Sequence, residues 1–158
     1  MEKKIGWILI IFCGVLAFPY LALAFFNHPS ADDYLVAVPA MQWGPITATL
    51  GWYYSWSCRF SANLILTVNP MVFKSLVGYQ LMAWGLISFL VFGFWQFLKS
   101  VFPSQSFINR FGLAILSTLV YFSATPSPVE ALYYFSGAVC YQPANALFLI
   151  LGGMLVGR

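Results

Sequence analysis

Long runs of apolar residues constrain the fold of this chain more than any other feature of its sequence. The first run, Ile5 to Phe26, holds 22 residues without a charge, and about 20 such residues cross a bilayer as a helix. The apolar core of a signal peptide is shorter, about 7–15 residues. We therefore interpret the run as an uncleaved first membrane helix, in which Pro19 is tolerated as a kink.

The composition also indicates a membrane protein. Hydrophobic residues make up 61% of the chain and charged residues 7%, whereas about 25% of a soluble domain is charged. So few charges cannot cover the surface of a water-facing globule of 158 residues. We expect an all-α membrane helical bundle with one domain over residues 1–158. The basic residues form no patch, so we expect no nucleic-acid partner.

Three further spans and a surface helix complete the predicted bundle. Arg59 makes the segment 45–69 expensive to insert, because a central arginine costs about 2.5–3.5 kcal/mol. The Trp and Tyr residues of this segment suit the membrane–water interface, so we predict one or two interfacial helices there. Lys74 is expected to extend from the second span to the head groups. The predicted spans are 5–26, 72–98, 108–125 and 133–156.

The basic residues predict the orientation of these spans. Five of them fall on the side of the two chain termini, and two, Arg59 and Lys74, fall on the other side. Basic residues are enriched on the cytoplasmic side of membrane proteins, so we expect a cytoplasmic amino terminus and outward-facing acidic residues. The five are Lys3, Lys4, Lys99, Arg110 and Arg158.

The adjacent carboxylates Asp32 and Asp33 follow the first span. Such a pair can bind a divalent cation, and in a partly desolvated cleft one member can act as a general base. The sequence Ser30-Ala31-Asp32-Asp33 equally fits a helix start, with Ser30 as N-cap and the acids in the first turn. The spacing alone favours the helix start.

Glu130 has a similar structural interpretation. Ser127-Pro128-Val129-Glu130 fits a capping box with Ser127 as N-cap, Pro128 as first helical residue and Glu130 two residues later. The capping role does not exclude a second role, because the Glu130 side chain would still face the outer vestibule.

Arg59 lies among aromatic residues. On one continuous helix, Trp52, Trp56, Arg59 and Asn63 would share a face, since their spacings are 4, 3 and 4. An arginine among tryptophans at the interface can hold a phosphate such as that of a lipid head group. The alternatives are an arginine that extends to the head groups or pairs with Asp32 or Asp33, and the sequence does not separate them.

The last span carries several polar residues in its outer half. Tyr134, Tyr141 and Asn145 share a helix face, and hydrogen bonds between helices explain them better than ligand binding does. Cys58 and Cys140 both fall near the outer face, where a disulfide would be compatible with the compartment. The odd number of cysteines gives that pairing no support.

The order of these features resembles the amino-terminal part of the GT-C superfamily of membrane glycosyltransferases. An acidic motif, Ala31-Asp32-Asp33-Tyr34, follows the first span and precedes the aromatic segment 53–60. A second acidic loop then leads into the segment 133–141. The most similar members are bacterial multi-pass proteins, mostly without an assigned function, which include relatives of O-antigen-modifying glucosyltransferases.

The resemblance implies inverting transfer of a sugar from a polyprenyl-phosphate donor to a cell-envelope acceptor, at the outer face of the bacterial inner membrane. Asp32 or Asp33 would be catalytic, and Asp33 and Glu130 would hold a divalent cation, Mg²⁺ or Mn²⁺. Arg59 would bind the lipid phosphate. The other substrate-binding residues would be Trp56, Tyr34, Glu130, Tyr141 and Asn145.

The sequence departs from the family pattern in two respects. Cys58 stands where a small residue such as Gly is expected before the arginine. Family members usually have eight or more spans, against about four here, so the resemblance implies a fragment or a half that needs a partner membrane subunit.

The alternative is a non-enzymatic membrane subunit, such as an assembly factor or a component of a lipid or sugar flippase. It predicts that the acidic motifs serve only as helix caps. A transporter or channel is less favoured, because the spans hold almost no ionisable residues.

Overall fold

The protein is helical throughout the part that the structure describes. The structure is a computed structural model that describes the backbone of residues 2–157 and the side chains of residues 4–157. Two short 3-10 turns, Ala24–Phe26 and Pro70–Phe73, accompany the α-helices. The α-helices are α1 (Glu2–Leu23), α2 (Asp32–Trp43), α3 (Pro45–Ser55), α4 (Phe60–Thr67), α5 (Leu76–Val101), α6 (Phe107–Ala124), α7 (Pro128–Leu132) and α8 (Phe135–Val156).

Four of these helices are long and apolar enough to cross a membrane: α1 with the turn that follows it, α5, α6 and α8. Large apolar side chains such as Ile8, Phe12 and Phe148 lie exposed on their surfaces, and a soluble protein rarely exposes such extensive apolar surface. The chain is therefore a multi-pass integral membrane protein with an all-α fold, as its sequence predicts.

The second span begins later than the sequence suggests. We predicted residues 72–98, but α5 covers Leu76–Val101. Pro70 opens a 3-10 turn, and Lys74 ends it in the left-handed conformation with φ of 53°. The Ser75 side chain then accepts a hydrogen bond from the backbone N–H of Gly78 and so caps α5. Lys74 is therefore an exposed turn residue rather than part of the span.

The long helices form two parallel pairs. Helix α1 packs along α6, and α5 packs along α8 and α6. Gly93 of α5 approaches the backbone of Ala146 in α8 so closely that a methyl group there would lie 2.9 Å from the Ala146 carbonyl oxygen. Small residues at such crossings let membrane helices pack backbone to backbone. Antiparallel α5 and α6 are joined by the short turn at 102–106.

This connectivity gives the bundle two different ends. The loop end carries residues 27–75 and 125–134, and the terminal end carries the 102–106 turn and both chain termini. Asp32, Asp33 and Glu130 are all at the loop end, whereas Lys4 and Lys99 are at the terminal end. The side chain of Lys3 and all of Arg158, both predicted to be cytoplasmic, lie outside the described residues.

The segment 27–75 at the loop end contains α2, α3 and α4, and the predicted interfacial segment 45–69 holds two of these helices, α3 and α4. Helix α2 ends at Gly44, whose φ of 83° suits a residue without a side chain, and Pro45 then opens α3. The predicted interfacial segment 45–69 is interrupted between Ser55 and Phe60. The continuous helix that we assumed for Trp52, Trp56, Arg59 and Asn63 is therefore wrong.

Candidate functional site

A cavity of about 320 Å³ opens at the loop end between α2, α3, α4 and the start of α8. This volume is near the lower limit of small-molecule sites, about 300–1,000 Å³. Its wall combines one carboxylate, one guanidinium, two indole rings and two phenols. These groups belong to Asp32, Arg59, Trp52, Trp56, Tyr134 and Tyr141. We call this space the Asp32–Arg59 cavity.

The break between α3 and α4 positions Arg59. The backbone N–H groups of Trp56 and Ser57 both donate to the Trp52 carbonyl, each at 3.0 Å, which ends α3. The buried Asn63 side chain then donates to the Ser57 carbonyl at 2.9 Å and accepts from the Ser57 hydroxyl at 3.2 Å. Asn63 thus fixes the break, and Arg59 follows it as the residue before α4.

The two tryptophans reach the cavity although the helix between them and Arg59 is interrupted. Trp52 and Trp56 meet edge to face, with ring centroids 6.5 Å apart. Trp56 is 81% exposed, so most of its ring is available to lipid or to a ligand. Both tryptophans and Arg59 thus line one cavity, but a turn brings them together and not the predicted helix face.

Asp32 is the first residue of α2 and is exposed to the cavity. Its backbone N–H donates to the Tyr134 hydroxyl at 3.3 Å. The Asp32 carboxylate and the Arg59 guanidinium, both of which the structure describes, form no ion pair within 4.0 Å. The carboxylate and the guanidinium therefore face one space with their charges available to a ligand.

Asp33, in contrast, is fully enclosed by protein. One carboxylate oxygen accepts from the backbone N–H of Ser136 at 3.0 Å and from its hydroxyl at 2.7 Å. The other accepts from the backbone N–H of Ser30 at 3.1 Å. The predicted N-cap is therefore wrong, because Ala31 occupies that position with φ of 36° and Ser30 donates to Asp33 through its backbone.

Asp33 belongs to a buried group of polar residues that joins four parts of the chain. The Asn69 side chain donates to the Asp33 carbonyl at 3.2 Å and accepts from the Tyr79 hydroxyl. Asn27 donates to the Tyr79 carbonyl at 3.1 Å. We call this group the polar junction: Asn27, Asp33, Asn69, Tyr79 and Ser136. Each of these donors has a partner, as buried polar groups require.

Ser127 is the N-cap of α7, as the sequence predicts, and Glu130 is exposed in the first turn. Its backbone N–H points to the Ser127 hydroxyl at 3.5 Å, and Pro128 is the first helical residue. Neither Glu130 nor Asp33 lines the Asp32–Arg59 cavity. Their predicted metal site does not form, because the Asp33 oxygens are already bound by the protein's own donors.

No group of three or more His, Cys, Asp and Glu residues comes together in the part of the chain that the structure describes. A divalent cation is usually held by several oxygen ligands. Asp32 is the only carboxylate on the wall of the cavity. The residues present therefore do not fit the expected Mg²⁺ or Mn²⁺ ion.

Two further predicted substrate-binding residues lie elsewhere. Tyr34 is half exposed on α2 but does not line the cavity. Asn145 donates to the Tyr121 hydroxyl at 2.8 Å, and that hydroxyl donates to Gln142 at 3.2 Å. Asn145 therefore joins α8 to α6, which is the interhelical interpretation that the sequence favoured.

Tyr134 precedes α8 and borders both Asp32 and the cavity. Burial, followed by the nearby Asp32 side chain, raises the pKa of Tyr134 to about 12. Its phenol is consequently a neutral hydrogen-bonding group at physiological pH. Tyr141, two turns further along the chain on the same wall, is 61% exposed.

The cysteines near the cavity are not bonded to each other. Cys58 and Cys140 are both free thiols. Cys140 lines the cavity, and Cys58 precedes Arg59 on the exposed break.

The Asp32–Arg59 cavity thus presents a proton acceptor, a fixed positive charge and aromatic surfaces. A guanidinium binds phosphate oxygens through paired hydrogen bonds, and indole rings provide flat apolar faces at a membrane interface. This combination suits an amphipathic ligand that has a phosphate and hydroxyl groups. A scan against protein-family models, a search of curated proteins and a search of solved structures found no match to this chain.

Proposed function

We propose that the chain acts in sugar transfer from a polyprenyl-phosphate donor to a cell-envelope acceptor, in the manner of the GT-C-like membrane glycosyltransferases that its sequence resembles. The observation that carries the proposal is the position of Asp32 and Arg59 on one cavity at the loop end. The loop end also holds all acidic side chains that the structure describes, which suits a site for hydroxyl-rich substrates.

In this proposal Arg59 binds the phosphate of the donor, and Trp56 contacts the first isoprene units or the sugar face. Asp32 accepts the proton of an acceptor hydroxyl, whose oxygen attacks the anomeric carbon. The bond between that carbon and the phosphate oxygen breaks, and its electron pair leaves with the polyprenyl phosphate. Arg59 stabilises the added negative charge, which is the usual role of a guanidinium in such transfers.

The proposed site faces the outside of the bacterial inner membrane. Lys4, Lys99 and Arg110 lie at the terminal end, and only Arg59 and Lys74 lie at the loop end. Because basic residues accumulate on the cytoplasmic side, this distribution supports a cytoplasmic amino terminus. Cysteine labelling of a variant with a thiol in the 102–106 turn tests this, and external labelling of the turn would contradict the proposal.

Binding of the donor tests the proposal directly. The full chain in lipid nanodiscs is titrated with a polyprenyl-phosphate sugar, and transfer of labelled sugar to membrane acceptors is measured in parallel. We expect binding that Arg59→Gln weakens and transfer that Asp32→Asn abolishes. Lys74→Gln, which removes one exposed positive charge at the same end, is the matched control and leaves both unchanged. Equal binding by the native chain and Arg59→Gln would refute the proposal.

A second candidate is a non-enzymatic subunit that binds a lipid phosphate for a partner membrane protein. It is favoured by the structural role of Asp33, which joins α2 to α8, and by the position of Glu130 in the first turn of α7, away from the cavity. This candidate predicts donor binding through Arg59 without transfer, and Asp32→Asn then leaves the phenotype of the intact cell envelope unchanged.

A further inference from the structure

A second and larger cavity, of about 500 Å³, lies among the spans rather than at the loop end. Helices α1 and α5 form its two sides and α6 forms its floor. Both side helices pack on α6, but they hardly contact each other. They meet at the loop end, where the Phe25 and Trp84 rings are 5.5 Å apart and Gln80 donates to the Phe25 carbonyl at 2.6 Å. We call this space the α1–α5 cleft.

The length of the cleft matches one leaflet of a bilayer. On α5 its lining runs from Trp84 to Trp95, which is about 16 Å at a rise of about 1.5 Å per residue. The hydrocarbon core of a bilayer is about 30 Å thick, so one leaflet contributes about half of that depth. An acyl chain that enters from the leaflet of the terminal end would extend along the cleft until it reached the Phe25–Trp84 contact.

Chemically, the wall of the cleft is apolar. Its lining is aliphatic and aromatic apart from Ser88, Thr118 and the polar atoms of Tyr20 and the tryptophans. The Thr118 hydroxyl already donates to the Ala114 carbonyl at 2.8 Å. The cleft therefore offers dispersion contacts and almost no hydrogen-bonding demand, which suits a hydrocarbon chain.

A positive charge stands where the cleft reaches the terminal end. Trp84, Ser88, Val91 and Trp95 follow each other at spacings of 4, 3 and 4, and Lys99 continues this face of α5 after four more residues. The Lys99 ammonium lies 5.9 Å from the centroid of the Trp95 ring. Among the side chains that the structure describes, every carboxylate is at the opposite end.

We propose that the α1–α5 cleft binds one anionic phospholipid, with an acyl chain between α1 and α5 and the head-group phosphate beside Lys99. The phosphate supplies the negative charge that the described carboxylates do not. A helix from a second copy would cover the cleft but, among the described side chains, would bring no carboxylate to the terminal end. This lipid site is independent of the proposed sugar transfer.

Native mass spectrometry of the full chain in detergent tests the site. The chain is titrated with phosphatidylglycerol and, separately, with phosphatidylcholine of the same acyl chains. We expect one tightly bound lipid and about fivefold tighter binding of phosphatidylglycerol, as one lysine near an anionic head group provides. Lys99→Gln removes this preference. Lys74→Gln, which removes an exposed lysine at the loop end, retains it.

Ser88→Trp fills the cleft and tests the acyl-chain contact. We expect it to weaken binding of both lipids about tenfold, whereas Ser88→Ala leaves binding unchanged. Equal binding of the two lipids by the native chain would overturn the proposal. An equal loss of the preference for phosphatidylglycerol in Lys99→Gln and Lys74→Gln would also overturn it. A dimer that Ser88→Trp dissociates would show that a second copy covers the cleft instead. If Ser88→Trp does not fold, the lysine variants decide.

Discussion

Asp33 holds Ser136 through two hydrogen bonds, although 103 residues separate them in the sequence. Ser136 is the second residue of α8, and the first N–H groups of a helix have no partner within it. The Asp33 carboxylate of α2 supplies that partner and so fixes the start of α8 against α2. Because Asp32 is on one of these helices and Tyr134 precedes the other, Asp33 aligns two walls of the Asp32–Arg59 cavity.

Replacing Asp33 therefore tests a structural role and not a catalytic one. Asp33→Ala leaves the N–H groups of Ser30 and Ser136 and the Ser136 hydroxyl without partners in a partly buried place. Each unsatisfied buried group costs about 1–3 kcal/mol, so we expect the free energy of unfolding to fall by about 3 kcal/mol. Unfolding of the purified chain in mixed micelles by increasing sodium dodecyl sulfate measures this.

The neighbouring acid is the matched control for that experiment. Asp32 is exposed and its carboxylate is not enclosed by donors, so Asp32→Ala should change the free energy of unfolding by about 0.5 kcal/mol or less. If both variants unfold at the same detergent fraction, Asp33 does not stabilise the start of α8.

The long helices and the start of α7 were predictable from local patterns in the sequence. Apolar runs gave the four spans to within a few residues, because a membrane requires uninterrupted apolar length. The Ser127 N-cap of α7 was likewise found, since that pattern depends on residues three positions apart.

The interior of the loop end was not predictable in the same way. Asp33 binds Ser136, and Asn69 binds Asp33 and Tyr79, and no local spacing reports contacts between distant parts of a chain. The twin carboxylates looked equivalent in sequence, but one is enclosed and the other lines a cavity. Nor did a local pattern mark the break between Ser55 and Phe60, because arginine is a good helix former.

Arg59 is expected to provide most of the phosphate affinity of the cavity. Hydrogen bonds to charged groups contribute about 1.5–3 kcal/mol, so Arg59→Gln should weaken binding of a polyprenyl phosphate by about tenfold or more. Arg59→Lys keeps the charge but loses the paired donors of the guanidinium, and we expect an intermediate affinity. Isothermal titration calorimetry in nanodiscs measures the affinities of both variants. If Arg59→Lys bound the phosphate as weakly as Arg59→Gln, hydrogen-bond geometry would matter more than charge.

Asp32 is expected to affect the rate of transfer and not the binding of the donor. General base catalysis contributes about 10²–10⁴-fold, so Asp32→Asn should lower the transfer rate at least about a hundredfold and leave the affinity for the polyprenyl-phosphate sugar within twofold. The assay follows labelled sugar with the same nanodisc preparation. Weakened binding with a proportionate loss of rate would instead assign Asp32 to substrate binding.

Stability at alkaline pH should depend on Tyr133. This side chain is 9% exposed, its hydroxyl donates to the Tyr20 carbonyl at 2.6 Å, and burial followed by the nearby Tyr20 raises its pKa to about 12. An unfolded tyrosine ionises near pH 10. The stabilisation that the neutral Tyr133 phenol provides is therefore complete below pH 10 and is lost as the pH rises to about 12.

Unfolding measured at pH 8, 10 and 11.5 follows this loss. Tyr133→Phe should have a lower free energy of unfolding at pH 8, because the Tyr20 carbonyl loses its donor. Between pH 10 and 11.5 its free energy of unfolding should decrease less than that of the native chain. Tyr54→Phe, which removes an 82% exposed phenol, is the control and should decrease as steeply as the native chain. An equally steep decrease in Tyr133→Phe would assign the alkaline loss to other groups.

The contact between α5 and α8 depends on the absence of a side chain at Gly93. A methyl group there would lie 2.9 Å from the Ala146 carbonyl oxygen and 3.1 Å from its Cα, whereas a methyl group at Gly85, on the same helix, has nothing within 4 Å. Overpacking of this kind costs about 1–3 kcal/mol, and alanine otherwise favours a helix over glycine by about 1 kcal/mol. Gly93→Ala should therefore unfold at lower detergent fraction, and Gly85→Ala should unfold at the same or a higher one. Because both substitutions add the same methyl group to α5, a difference in stability between the two variants reports on the crossing of α5 and α8. Equal stability would show that α8 shifts without an energetic cost.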